Sequence, residues 1–140
     1  MNNDQMMKDI LLSAKTVASV GLSSNRMKES YGIVEYLKGQ GYRIIPVNPT
    51  AAEILGEKAY PDLESVPQKI DVVQVFRKPE DVPPIVDSAM KVGAKVVWMQ
   101  EGIVNEEAAA KARAAGLQVV MDECMRATHR RLIGEKPIRL

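Results

Sequence analysis

Five short apolar runs constrain this chain more than anything else in it: Thr16-Val17-Ala18-Ser19-Val20, Arg43-Ile44-Ile45-Pro46-Val47, Ile70 to Phe76, Lys95 to Met99 and Leu117 to Met121. They are rich in β-branched residues, and the second is apolar almost throughout, as a strand covered on both faces must be. Helical spacing fills most of the gaps. A helix is expected from about Tyr31 to Lys38, with Tyr31, Val34 and Leu37 on one face and Gly39 and Gly41 at its end. Another carries Ile85, Val86, Ala89 and Met90 and stops at Gly93; Pro83 and Pro84 fit only in its first turn, where their missing N–H groups are not needed. The clearest helix opens at Asn105-Glu106-Glu107 and closes at Gly116. Strands alternating with helices require parallel β-α-β units with right-handed crossovers. The expected fold is therefore α/β: one doubly wound, mostly parallel, Rossmann-like sheet with helices on both faces, in a single domain spanning residues 1–140.

The remaining segments are less regular. A short helix from Asp4 to Ser13 would be capped by Asp4 and bury Met7, Ile10 and Leu11. Pro46 costs a ladder hydrogen bond inside a central strand, so it belongs at the end of its strand. Between residues 50 and 69 the pattern offers only a short edge strand from Glu57 to Tyr60, and a turn framed by Pro61 and Pro67. Asp122 is placed to cap a final helix running to about Leu132.

In such a sheet, ligands bind at the carboxyl ends of the strands, where the strand order reverses. The first strand and the Ile70–Phe76 strand would flank that crevice, with exit loops 21–26, 48–50, 76–80 and 100–103 facing it. The first exit, Gly21-Leu22-Ser23-Ser24-Asn25, runs from a strand through a glycine turn toward a helix. That arrangement presents amide donors and a positive helix end to an anion, above all a phosphate. The same residues also suit a plain tight turn with capping serines. Arg26 and Lys28, and better Arg77 and Lys78 after a buried strand, are candidates for charge-assisted bonds to phosphate. Trp98 reads as core.

Several function classes fall away. Formal net charge is +1 and aromatic residues make up 4%, so neither a basic stripe nor stacking platforms for nucleic acid are expected. No apolar run has membrane-spanning length, and the first residues lack the regions of a signal peptide. With Cys124 the only cysteine, no internal disulfide forms, in keeping with a cytoplasmic location. With His129 the only histidine, a multi-histidine metal site is excluded, and neither a metal nor a catalytic residue is expected. There is no Walker loop. The dinucleotide fingerprint is reduced to Gly21, and Asn48 stands where an acid would take the ribose diol. An NAD(P)-dependent enzyme or subunit stays open as the alternative, with Asn48 and Arg77 meeting a 2′-phosphate.

Taken together, Val20-Gly21-Leu22-Ser23-Ser24-Asn25, Val47-Asn48-Pro49, Val75-Phe76-Arg77-Lys78-Pro79-Glu80 with Val82-Pro83, Trp98-Met99-Gln100-Glu101-Gly102-Ile103, and Met121-Asp122-Glu123-Cys124 resemble a known family. The chain is similar to the small stand-alone coenzyme A-binding proteins, relatives of the nucleotide-binding domain of the succinyl-CoA synthetase alpha subunit. The likeness covers about residues 10–133. It implies a Rossmann-like fold that binds coenzyme A, or an acyl-CoA, at the switch point. Carried over, Gly21, Ser23 and Ser24 would meet the phosphates, with Asn25 and Arg26 beside them. Asn48 and Pro49 would line the nucleotide. Phe76, Arg77, Lys78 and Pro79 would touch the adenine or pantetheine side, and Glu101, Gly102 and Ile103 would close the cleft. The synthetase's second domain, with its phosphorylated histidine, has no counterpart here, so ligase activity is not implied.

Cys124 lies near the start of the final helix, where the dipole favours a thiolate. A mixed disulfide with coenzyme A under oxidising conditions is one expectation; a small buried hydrophobe is the other. The basic run Arg126, His129, Arg130 and Arg131 matches the negative end of its helix without any ligand. A homodimer and a partner ligase-type subunit both remain open.

Overall fold

The computed structural model describes residues 2–136; residue 1 and residues 137–140, the ends of the expected 1–140 domain, lie outside it. Helix α1 (Asp4–Ser13) precedes β1 (Thr16–Val20), α2 (Glu29–Gly39) and β2 (Arg43–Val47). A hairpin of β3 (Glu53–Ile54) and β4 (Glu57–Lys58) follows, then a 3-10 turn (Leu63–Ser65). The chain continues through β5 (Val72–Val75), a second 3-10 turn (Pro79–Asp81), α3 (Val82–Lys91), β6 (Val96–Met99), α4 (Glu106–Ala114), β7 (Gln118–Val120) and α5 (Met125–Leu132). Five strands pair in parallel in the order β2-β1-β5-β6-β7. The α/β, doubly wound architecture read from the sequence is the one the chain adopts.

The central strands β5 and β6 are buried at every residue, and their side chains alternate between two apolar layers. Ala18, Val73, Val75, Val97 and Met99 pack with Val82, Val86 and Ala89 of α3 and the alanines 108, 109 and 112 of α4. On the other face Val17, Val72 and Trp98 meet Met7 and Ile10 of α1, Ile33, Val34 and Leu37 of α2, and Met125 of α5. Trp98 is wholly buried, and its Nε1 donates to the Glu123 carbonyl at 2.9 Å.

Local departures from expectation have plain causes. Pro46 sits inside β2, opposite Ser19, not at its end. It is tolerated because β2 is an edge strand and the backbone of the buried Pro46 is turned away from β1: its carbonyl accepts from Tyr60 N. The expected edge strand from Glu57 to Tyr60 resolves into β4, paired with β3, and a separate parallel bridge between Tyr60 and Val47. α1 is capped by Asn3, whose side chain accepts from Met6 N at 2.7 Å, and not by Asp4. At the opposite edge, Asn2 holds β7's exit by exchanging two bonds with the Met121 backbone. α2 starts two residues before Tyr31, and β5 is shorter than the apolar run that predicts it.

No α-helix covers the crossover from β2 to β5. The β3–β4 hairpin and the first 3-10 turn stand in its place. That shorter cover leaves an opening beside α3.

Candidate functional site

The strand order reverses between β1 and β5, and both chains leave the sheet there side by side. Gly21 turns with φ +85°. A Cβ built on it would stand 2.8 Å from Arg77 Cδ and 3.2 Å from the Phe76 carbonyl. Only glycine allows the first exit to pass so close under the third. Leu22 then plunges into the α2-side layer with no exposure, which anchors the loop.

Most polar groups of this loop serve the loop itself. Gly21 N donates to the Val47 carbonyl, Ser23 N to Ser30 Oγ, Asn25 N to Ser23 Oγ and Met27 N to Asn25 Oδ1. Among the described residues nothing accepts from the amides of Ser24 and Arg26, and both residues are exposed. The first turn of α2 has no side-chain cap. Asn48 is equally engaged: its Nδ2 donates to the Leu22 carbonyl at 3.0 Å, and its Oδ1 accepts from Thr50 N, Thr50 Oγ1 and Ala51 N. It fastens the first two exits together.

Two cavities open on either side of this crossing. The larger, about 320 Å³, lies on the α3 face between the first 3-10 turn and α3. Gly21, Pro49 and Arg77 line it with Val47, Leu63, Pro84 and Ile85, and with Asp62, Asp81 and Ser88. The smaller, about 140 Å³, lies on the α2 and α5 face. Phe76, Ile103 and Cys124 line it with Glu29, Ser30, Ile33, Gln100 and Glu101. Ser23, Ser24, Asn25, Arg26, Asn48, Lys78, Pro79 and Gly102, all singled out in the sequence, line neither cavity. Pro79 accepts from Asn105 Nδ2, and Arg77 pairs with Asp81 at 3.2 Å.

Asp122 does not cap α5. It turns with φ +58°, and its Oδ1 accepts from Gly102 N at 2.6 Å, which ties the fourth exit to the end of β7. Cys124 takes the N-cap position, half-buried, at the wall of the smaller cavity. The basic end of α5 is taken up by packing. His129 Nδ1 meets Tyr36 Oη at 2.8 Å, Arg130 lies over the Tyr36 ring, and Arg131 pairs with Asp4. Burial, reinforced by Lys136, holds the His129 imidazole below its ordinary pKa.

Sequence reasoning missed a buried polar chain. Ser19 Oγ donates to Gln74 Oε1 at 2.8 Å, and Gln74 Nε2 donates to Gln100 Oε1 at 3.0 Å. Gln100 Oε1 also accepts from Met125 N at 3.0 Å. The chain crosses β1, β5 and the end of β6 and reaches the start of α5, with Ser19 and Gln74 fully buried and Gln100 exposed by only 4%. The available signal was a glutamine in the middle of Val72-Val73-Gln74-Val75, where a strand covered on both faces wants only apolar side chains. Among the described residues no cluster of acidic, histidine or cysteine side chains could hold a metal, and no helix is long and apolar enough to cross a membrane.

Comparison with known proteins fits this geometry. YneT of Bacillus subtilis is 40% identical over 122 residues, which is 87% of this chain and 90% of that protein. The solved structure of a hypothetical protein from Pyrococcus horikoshii OT3 superposes with a TM-score of 0.92 at 41% identity, covering 95% of this chain and 94% of that one. The ADP-forming acetate–CoA ligase II of Archaeoglobus fulgidus is 33% identical over 99 residues, 69% of this chain but only 15% of the ligase. A family model described as a CoA binding domain matches residues 15–130, and the chain belongs to that CoA-binding family.

Proposed function

We propose that this chain binds coenzyme A or an acyl-CoA across the carboxyl edge of β1 and β5, and contributes no catalytic group of its own. The observation that carries this reading is the Gly21 crossing, with one cavity on each face of the sheet. Coenzyme A is a nucleotide joined through a pyrophosphate to a long thiol-bearing arm, and such a ligand can lie over the crossing with an end in each cavity. The open amides of Ser24 and Arg26, the uncapped start of α2 and the guanidinium groups of Arg26 and Arg77 suit the phosphates. The apolar walls at Pro49, Leu63 and Ile85 suit the adenine. Phe76 and Cys124 suit the far end of the arm. Residues 1–140 would act as one coenzyme A-binding domain. The ligase chemistry of the much longer relatives is not part of this proposal.

Calorimetric titration tests the reading: coenzyme A and acetyl-CoA are expected to give saturable heat, and NADPH none. Heat with NADPH and none with either coenzyme A species overturns it. The same pose brings the ligand's sulfur to Cys124. With coenzyme A disulfide as the oxidant, Cys124 Sγ bonds to one sulfur of that disulfide, its S–S bond breaks, and the second coenzyme A leaves as a thiol carrying the proton from Cys124. Intact-mass analysis is expected to show one adduct on the wild type and none on Cys124→Ser; an adduct on both, or on neither, defeats this step.

A further inference from the structure

The polarity of the buried chain is fixed from one end. Met125 N can only donate, so Gln100 must turn its oxygen toward it, and that same oxygen receives the Gln74 amide. Gln74 in turn presents its oxygen to the Ser19 hydroxyl. Every side-chain nitrogen and oxygen of the relay then has at least one partner, except one. Gln100 Nε2 has no acceptor among the described residues, on a side chain that is almost wholly buried and forms part of the smaller cavity's wall. It is not sealed away either, since among the described residues the only fully buried side-chain atom without a partner is Gln68 Oε1. A donor held in place by two bonds to its own amide's oxygen, and itself unpaired, calls for an acceptor from a ligand.

The surroundings narrow that acceptor. Phe76, Ile33 and Ile103 form the apolar part of the cavity wall, and Glu29, Ser30, Gln100 and Glu101 its polar part. The Met125 amide at the start of α5 is already taken by Gln100, and the carboxylates of Glu29 and Glu101 line the same cavity and oppose an anion. The volume of about 140 Å³ equals roughly five water molecules of liquid. A short, uncharged group bearing a carbonyl fits; a dicarboxylic acyl group does not.

We propose that the smaller cavity is an acyl pocket, which receives the short neutral acyl group of an acyl-CoA, with Gln100 Nε2 donating to the thioester carbonyl. This rests on the coenzyme A reading above and names the form of the ligand it prefers. The wild type then binds acetyl-CoA tighter than free coenzyme A by about fivefold or more, the worth of one hydrogen bond to a buried donor. Succinyl-CoA, which places a carboxylate beside Glu29 and Glu101, binds weaker than acetyl-CoA.

Titration of coenzyme A, acetyl-CoA and succinyl-CoA into the wild type, Gln100→Glu and Ile103→Phe, at pH 8, decides it. Gln100→Glu keeps an oxygen for Met125 N and removes the open donor; Ile103→Phe fills the pocket without touching the relay. The ratio of acetyl-CoA to coenzyme A affinity is expected to fall to about one in both. A Glu101→Gln variant is expected to narrow the gap between acetyl-CoA and succinyl-CoA. Equal wild-type affinity for coenzyme A and acetyl-CoA overturns the acyl pocket while leaving coenzyme A binding intact, and so does a preference that survives both substitutions. Failure of all three ligands to bind overturns the coenzyme A reading itself.

Discussion

The two edges of the sheet use the same kinds of groups to opposite ends. At the amino edge the strand entries are tied together around Asp71. Asp71 Oδ2 accepts from Lys15 N at 2.9 Å and Thr16 N at 3.1 Å, Lys95 stands 3.7 Å from its other oxygen, and its backbone carbonyl receives both Lys95 N and Val96 N. The cavity there is about 80 Å³. At the carboxyl edge the exits diverge around Gly21, two larger cavities open, and the Ser24 and Arg26 amides and Gln100 Nε2 are without partners among the described residues. Polar residues are present at both ends; what separates the two edges is whether their bonds close within the protein, and the proposed ligand takes the edge where they do not. The asymmetry follows from the winding: right-handed crossovers splay the chain at the strand ends only where the order reverses.

The largest break in this comparison is expected at Gly21. Gly21→Val forces a β-branched residue to φ +85° and drives its Cβ against Arg77 Cδ and the Phe76 carbonyl. Strain of this kind costs about 2–3 kcal/mol in stability. Separating the first and third exits should also weaken coenzyme A binding by more than about tenfold, because the crossing itself is deformed. Urea denaturation and calorimetry read the two effects. A variant with wild-type stability and affinity removes the crossing as the organising feature.

Much of the fold was legible, because strand and helix periodicities report which faces are buried, and the five runs from Thr16 to Met121 register that directly. The errors came where a tertiary bond outranks a local preference. Pro46 looked misplaced because edge position and the direction of its carbonyl cannot be read from spacing. Asp122 looked like a cap because an acid before a helix usually is one, yet Gly102 N claims its carboxylate from twenty residues away. At the site, Ser23, Asn25 and Asn48, which the resemblance assigns to the ligand, also close bonds within the exits, which spacing does not reveal. Gln100 escaped notice because its role depends on Ser19 and Gln74, which are distant in sequence and adjacent only across the sheet.

A smaller effect, confined to stability, is expected at the amino edge. Burial alone would raise the pKa of Asp71, but the Lys15 and Thr16 amides, with Lys95 beside them, hold it below the ordinary value. A carboxyl group depressed in the folded state stabilises fully above its unfolded pKa, and that contribution fades as pH falls through the folded value. Asp71→Asn should therefore cost about 1–2 kcal/mol at pH 7, flatten the fall in stability below about pH 4, and leave coenzyme A affinity unchanged. Loss of affinity in a folded Asp71→Asn protein would show that the two edges are coupled.

The smallest effect on stability, and the most selective test of the binding edge, is expected at Arg77. Its ion pair with Asp81 leaves both side chains more than a third exposed, so Arg77→Ala should change stability by less than about 0.5 kcal/mol. Its aliphatic stem covers Gly21, and the residue lines the larger cavity. If it meets a phosphate of the bound ligand, removing it weakens coenzyme A binding severalfold, and added salt then lowers the variant's affinity less steeply than the wild type's. Arg77→Lys keeps the charge but loses the planar fork, and should recover only part of the affinity. If salt dependence is the same in all three proteins, Arg77 is a cover for the glycine turn, and the phosphates are held by the amides of Ser24 and Arg26 and the start of α2. That outcome would make the binding edge a backbone device, built from the same donors that the amino edge closes with Asp71.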